Sequence, residues 1–259
     1  MPLIDTHAHL YLDDFAHDID DVLSRARDVG VETVLLPNID ATTIDALHAL
    51  TERFPDRLHP MMGLHPGSVA DDVDAQLAAI ERALDQKTYV AVGEIGLDHY
   101  WSTDHVDAQA RAFGCQLDWA KDRGLPVAIH CRDAFDDVID QVAAHQDGRL
   151  TGVLHCFTGT GDQARRLIDL GLHLGIGGVV TFKNSGASVR DALTSVPLET
   201  LVLETDSPYL APAPHRGKRN EPALLPRMVD VLSDLYKLDA ATIERTTTAN
   251  ARRLFNLPA

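Results

Sequence analysis

The chain has 259 residues, 45% hydrophobic and 24% charged, with a formal charge of −16 at pH 7; that is apolar mass for a large core, and no Pro-, Gly- and Ser-rich linker divides it. The negative balance excludes an extended nucleic-acid surface, because such surfaces bind phosphates through Lys and Arg. Three scattered cysteines, Cys115, Cys131 and Cys156, exclude a disulfide framework and a CxxC thiolate site.

No run approaches the ~20 apolar residues of a membrane span. The start carries Asp5, His7 and His9 where a signal peptide needs a basic stretch and an unbroken apolar segment, so the expected location is the cytoplasm. Of the 39 acidic residues 31 are Asp and 8 Glu. That bias keeps a surface hydrated and suits adaptation to high salt.

In chain order, the first strand-like run is LIDTH (3–7), followed by a helical pattern over 13–30. There Ile19, Val22, Leu23 and Ala26 form an apolar stripe and Gly30 a stop. VETVLLP (31–37) precedes a helix near 40–53, RLHPMMGLH (57–65) one near 72–85, and TYVAVGEIG (88–96) one near 105–123. PVAIH (126–130) precedes a helix near 134–145, TGVLHCF (151–157) one near 161–170, and LHLGIGG (172–178) one near 186–195. ETLVLETD (199–206) leads to a pair near 222–236 and 240–255. Eight strands alternating with helices imply an α/β fold with parallel strands and right-handed crossovers: a TIM-like (β/α)8 barrel or a distorted version of one, in a single domain over 1–259. A doubly wound open sheet is the rival, weakened because no GxGxxG or P-loop follows any strand.

In a parallel barrel the active site sits at the C-terminal ends of the strands. Reading those ends gives His7 and His9, then His65, Glu94, His130, His155 and Asp206. His7 and His9 share a face because alternate side chains of a strand do. Histidine and carboxylate without cysteine suit Zn2+, Mn2+ or Mg2+. Six strong ligands exceed the needs of one tetrahedral ion, whereas two ions sharing Glu94 as a bridge use them all. Two ions about 3.5–4 Å apart polarise a phosphoryl oxygen and lower the pKa of a bound water to near 7. That combination is hydrolysis.

Around this set, Glu204 reads as a buried structural partner and Asp5, two residues before His7 and deeper in the barrel, as a carboxylate that orients a ligand rather than one that binds metal. Arg132, two residues after His130, faces the same mouth as a phosphate contact or pairs with Asp133 or Asp136. The loop PAPHRGKRNEP places His215, Arg216, Lys218 and Arg219 together, the one dense basic cluster of the chain. An acidic protein must gather its phosphate contacts somewhere, and this loop follows the eighth strand. Lys183 stands evenly between phosphate contact and surface residue. Tyr100 and Trp101, after the fourth strand, either stack on a base at the site entrance or, the commoner fate of such aromatics, pack in the core; His173, at the start of a strand, reads as structural.

LIDTHAHL, MMGLHPGSV, VAVGEIGLDHYW, PVAIHCRDAFDD, LHCFTG, GIGGVVTFKN, LVLETDSPYLAP and HRGKRNEP resemble, in order, the motifs of the TatD family of metal-dependent hydrolases, within the amidohydrolase superfamily. The resemblance runs from residue 3 to about residue 255. It implies a TIM barrel, a binuclear site, and phosphodiester cleavage in DNA that trims single strands from the 3′ end. It also implies that His7, His9, Glu94 and Asp206 hold one ion and Glu94, His130 and His155 the second, with His65 near the scissile phosphate. Mg2+ or Mn2+ is the expected metal of turnover and Zn2+ an alternative in the isolated protein. Tyr11 and His99 depart from the family pattern and put substrate preference in question. DNA bound locally at the barrel mouth is the expected partner, to a monomer with no obligate protein partner and no membrane. Two alternatives stay open: an amidohydrolase cleaving another ester or amide, including the ester of a D-aminoacyl-tRNA, and a non-catalytic scaffold.

Overall fold

The computed structural model describes residues 2–100 and 103–258. Eight parallel strands alternate with helices: β1 (Leu3–Asp5), β2 (Val31–Leu36), β3 (Leu58–Pro60), β4 (Val92–Asp98), β5 (Val127–Arg132), β6 (Gly152–Leu154), β7 (Leu172–Ile176) and β8 (Leu201–Leu203). The helices are α1 (Ile19–Asp28), α2 (Ile44–Arg53), α3 (Val73–Gln86), α4 (Val106–Arg123), α5 (Phe135–His145), α6 (Gly161–Asp169), α7 (Ser185–Leu193), α8 (Pro226–Tyr236) and α9 (Ala240–Leu254). Every expected helix is present, but the first begins at Ile19 rather than residue 13 and the one expected from residue 222 begins at Pro226, each preceded by a short 3-10 turn.

The strands form a three-stranded sheet, β1–β2–β3, and a five-stranded sheet, β4 to β8 in sequence order. At the β3/β4 seam the sheets meet through one bridge, Met62 with Val92, and at the β1/β8 seam through another, Ala8 with Ser207. Hydrogen bonds support both seams: Met62 N to Ala91 O at 3.2 Å and Gly93 N to Met62 O at 3.0 Å on one side, Thr6 N to Leu203 O at 3.0 Å and His9 N to Ser207 O at 2.7 Å on the other. The barrel is therefore the distorted version, with its ladder interrupted at two places.

Several strands are shorter than their apolar runs. The third ends at Pro60, the sixth at Leu154 and the eighth at Leu203, where the runs continue to residues 65, 157 and 206. Beyond two of these ends the backbone turns left-handed, at Cys156 (φ 47°) and Asp206 (φ 59°). Such conformations are costly for a residue with a Cβ and collect at functional sites.

Inside the barrel a small cluster of Ile4, Leu35, Met61, Ala91, Ala128, Val153 and Val202 is packed against Ala251 and Phe255 of the C-terminal segment. This plug fills one end. The larger core lies between strands and helices. Because strand side chains alternate with period two, the inward positions Ala128, Val153 and Val202 continue as His130, His155 and Glu204 at the other end. Among the described residues no helix is long and apolar enough to cross a membrane.

Candidate metal centre

Glu94 is the hub. It is only 2% exposed, and its two oxygens face different groups. Oε2 lies 3.1 Å from His7 Nε2 and 3.5 Å from His9 Nε2. Oε1 lies 3.0 Å from His130 Nδ1, 3.2 Å from His155 Nε2 and 3.6 Å from His65 Nε2. Asp206 Oδ1 stands 3.8 Å from His7 Nε2 and 3.7 Å from His9 Nε2. All seven residues read from the strand ends thus converge.

Among the described residues three compact groups have metal-ligand spacing: His7, His9 and Glu94; His65, Glu94 and His130; and, deeper, His7, His155 and Glu204. The Nε2 atoms of His7 and His9 are 3.3 Å apart. Lone pairs brought that close, beside a buried carboxylate, need a cation or shared protons between them. The donor set of imidazole and carboxylate fits divalent ions of the Zn2+, Mn2+ and Mg2+ class.

What holds each ring decides which nitrogen it offers. Tyr11 Oη donates to Pro37 O at 2.7 Å, so toward His9 Nδ1, 3.1 Å away, it acts as acceptor. His9 then carries its proton on Nδ1 and turns an Nε2 lone pair inward. Asp98 Oδ2 accepts from His130 Nε2 at 2.9 Å, leaving Nδ1 toward Glu94. Glu204, fully buried, places Oε1 3.2 Å from His155 Nδ1 and also accepts from Cys156 N. Asp98 and the Tyr11 hydroxyl are thus the kind of partner that fixes a ligand's tautomer in metal sites, whereas Glu204 stands beside His155 as a buried charge.

His65 is different. Its Nδ1 accepts from Gly67 N at 2.9 Å, so the neutral ring has its proton on Nε2, the atom facing Glu94. Despite its place in a compact metal-like group, this ring presents a donor rather than a lone pair.

Charge follows the same geometry. Burial alone would raise the Glu94 carboxyl, but the rings of His7, His155 and His65 hold it well below the usual carboxylate range. Burial pushes His9 down to about 3 and His65 down to about 4, so both are neutral at pH 7. Burial raises Asp206 to about 6. Asp5 is raised to about 7 by burial, and it accepts from Thr205 N at 2.9 Å and His7 N at 3.3 Å. Asp5 therefore ties the first strand to the loop after the eighth rather than orienting a ring.

The expected phosphate contacts divide. Arg132 lies with its guanidinium 3.7 Å over the Tyr100 ring, and Asp136, one of its expected partners, pairs instead with Arg166 at 3.0 Å. Arg216 covers the Phe182 ring at 3.7 Å and, like Lys218 and Lys183, is exposed. Arg219 is committed elsewhere: it donates to Asp18 Oδ1 at 2.8 Å, Asp18 Oδ2 at 2.7 Å and Asp14 O at 2.6 Å, pinning the basic loop to the start of α1. Tyr100 is exposed beneath the Arg132 guanidinium rather than packed in the core, and Trp101 lies outside the described residues. The sequence reading passed over Asp98 as a ring partner, although its place four residues after Glu94 on β4 put it on the same face. It also missed the Tyr11 contact with His9, which no local pattern announces.

Residues 4–256 match the family model described as TatD related DNase. The chain is 35% identical to the uncharacterized metal-dependent hydrolase YabD of Bacillus subtilis, over 98% of this chain and 99% of that one. It is 33% identical to the 3′-5′ ssDNA/RNA exonuclease TatD of Erwinia billingiae, over 99% and 100%. Among solved structures, the TatD homolog YjjV of Escherichia coli K12 superposes with a TM-score of 0.92 at 34% identity, covering 99% of this chain and 98% of that one.

Proposed function

The chain belongs to the TatD-related DNase family of metal-dependent hydrolases, and on that premise we propose that it cleaves phosphodiester bonds of single-stranded DNA from the 3′ end, using two divalent ions. One observation carries this reading. The Glu94 carboxylate divides its oxygens between His7 and His9 on one side and His130 and His155 on the other, the arrangement of a bridging ligand between two cation sites.

His7, His9, Glu94 and Asp206 would hold one ion, and Glu94, His130 and His155 the other. Bound there, Mg2+ or Mn2+ would polarise the phosphoryl group and favour a nucleophilic water. The protein's own groups do the rest. Asp206 takes the proton of the water that attacks phosphorus as the bond to the leaving 3′ oxygen breaks. His65 donates from Nε2 to a phosphoryl oxygen and strengthens that bond as charge grows there. Arg132, Arg216 and Lys218 gather flanking phosphates at the barrel mouth. With a chain charge of −16, contacts stay local and the substrate is an end rather than a long duplex. The relative named as a 3′-5′ ssDNA/RNA exonuclease supports the same direction.

Metal-stripped protein refilled with Mg2+, Mn2+ or Zn2+, given a 5′-labelled single-stranded oligonucleotide, tests the reading. A ladder shortening from the 3′ end, absent with Glu94→Ala, is the expected result. Bound metal with no cleavage under any ion overturns it and moves the substrate to another ester, including that of a D-aminoacyl-tRNA.

A further inference from the structure

Among the described residues, five large apolar or aromatic side chains are exposed: Val29, Tyr100, Tyr209, Leu210 and Leu238. Three of them, Tyr100, Tyr209 and Leu210, stand on the loops that leave β4 and β8 at the metal end. Exposed apolar surface beside a polar site marks a place where something apolar docks.

Tyr209 stands beside His9, a ligand of the first expected ion. Its ring centroid lies 6.2 Å from that of His9, and it follows Asp206 by three residues. Tyr209 is 52% exposed and Leu210 beside it 39% exposed. Yet the backbone beneath is fixed. Tyr209 N donates to Asp206 O at 2.8 Å, and Asn220 Nδ2 donates to Tyr209 O at 2.7 Å. The same Asn220 Nδ2 lies 2.7 Å from Thr205 O, closing the loop on both sides of Asp206. Leu210 takes a left-handed conformation (φ 53°), and its carbonyl lies against Gly178, where a Cβ would fall 2.0 Å away. An exposed ring on a clamped backbone loses little freedom when a ligand covers it.

We propose that Tyr209, flanked by Leu210, is a nucleobase-binding subsite that stacks the base of the nucleotide whose phosphate is held at the metal centre; this rests on the nuclease reading above. The neighbouring Glu94 and Asp206 disfavour an anionic group against this face, whereas a base offers a neutral, flat π-surface. Stacking of this kind is tolerant of sequence because every base has a face. It is closed to a paired duplex, whose bases are already stacked, and so selects frayed or single-stranded ends.

Binding tests the subsite apart from cleavage. The probe is the 5′-monophosphate of 2-aminopurine deoxyribonucleoside, whose fluorescence falls on stacking and which carries no phosphodiester to cut, titrated into metal-loaded protein. Quenching is expected in the wild type and in Tyr209→Phe, with binding about 5- to 150-fold weaker and unquenched in Tyr209→Ala. Equal affinity and quenching in all three proteins overturns the proposal. In parallel, oligonucleotides with a natural or an abasic 3′-terminal nucleotide report whether KM discrimination vanishes in Tyr209→Ala while kcat holds. An equal fall in kcat on both substrates in that variant makes the ring a prop for Asp206 and overturns the subsite. Probe binding that depends on Tyr209, with no oligonucleotide cut by the wild type, leaves the subsite standing and the nuclease reading refuted.

Discussion

Replacing Tyr11 by Phe removes one oxygen and isolates the control of a ring tautomer. The hydroxyl donates to Pro37 O at 2.7 Å and receives from His9 Nδ1 at 3.1 Å. Two costs follow. The Pro37 carbonyl, on a buried residue, loses its donor, and a buried acceptor left unpaired costs about 1–3 kcal/mol. His9 loses the partner that keeps its proton on Nδ1, so its Nε2 lone pair is no longer reserved for the site. Removing such a supporting partner typically weakens metal affinity by about 10- to 100-fold. Titration of apo-protein with Zn2+ against a chromophoric chelator reads the second cost, and urea unfolding of the apo-protein reads the first. The expected result is a loss in both. Unchanged Zn2+ affinity beside the loss of stability would refute the tautomer argument and reduce Tyr11 to a brace for the Pro37 loop.

The buried carboxylate of Glu204 rests against Gly175, where a Cβ would lie 2.3 Å from Oε2. Gly175→Ala should therefore destabilise by about 1–3 kcal/mol in urea unfolding, and a cost under about 0.5 kcal/mol would sink the packing argument. Metal uptake should depend on pH through Asp206, whose carboxyl is raised to about 6 by burial. Below that pH the metal must displace a proton from it, so log affinity should fall by about one further unit per pH unit than it does above. A single slope from pH 5 to 7 contradicts this. Arg219→Ala should cost about 0.5–1 kcal/mol, since its bonds to Asp18 are partly exposed, and should leave the KM for a short oligonucleotide unchanged. A large rise in KM would return Arg219 to the substrate contacts.

The TatD motifs, the eight-strand order and the seven converging side chains were all readable in the chain. The reason is local. Strand and helix periods follow from backbone sterics and burial, and a parallel barrel turns every strand end to one face, so sequence position alone says which residues meet. Period two also carried Glu204 inward as a buried partner rather than a surface acid. What the sequence could not decide is how each ring is turned. The tautomer of His9 depends on a hydroxyl that braces Pro37, that of His130 on a carboxylate one strand away, and the role of His65 on the N–H of Gly67 in the short turn that follows it. Arg219 shows the same limit: it sits in the basic loop by sequence, yet Asp18, some two hundred residues earlier, takes its charge. The interruption of the barrel at two seams likewise arises where strands distant in sequence or cut short by Pro60 must meet. Hydrogen bonds between side chains are directional and short-ranged, so they are settled only when the whole chain has brought their partners within reach.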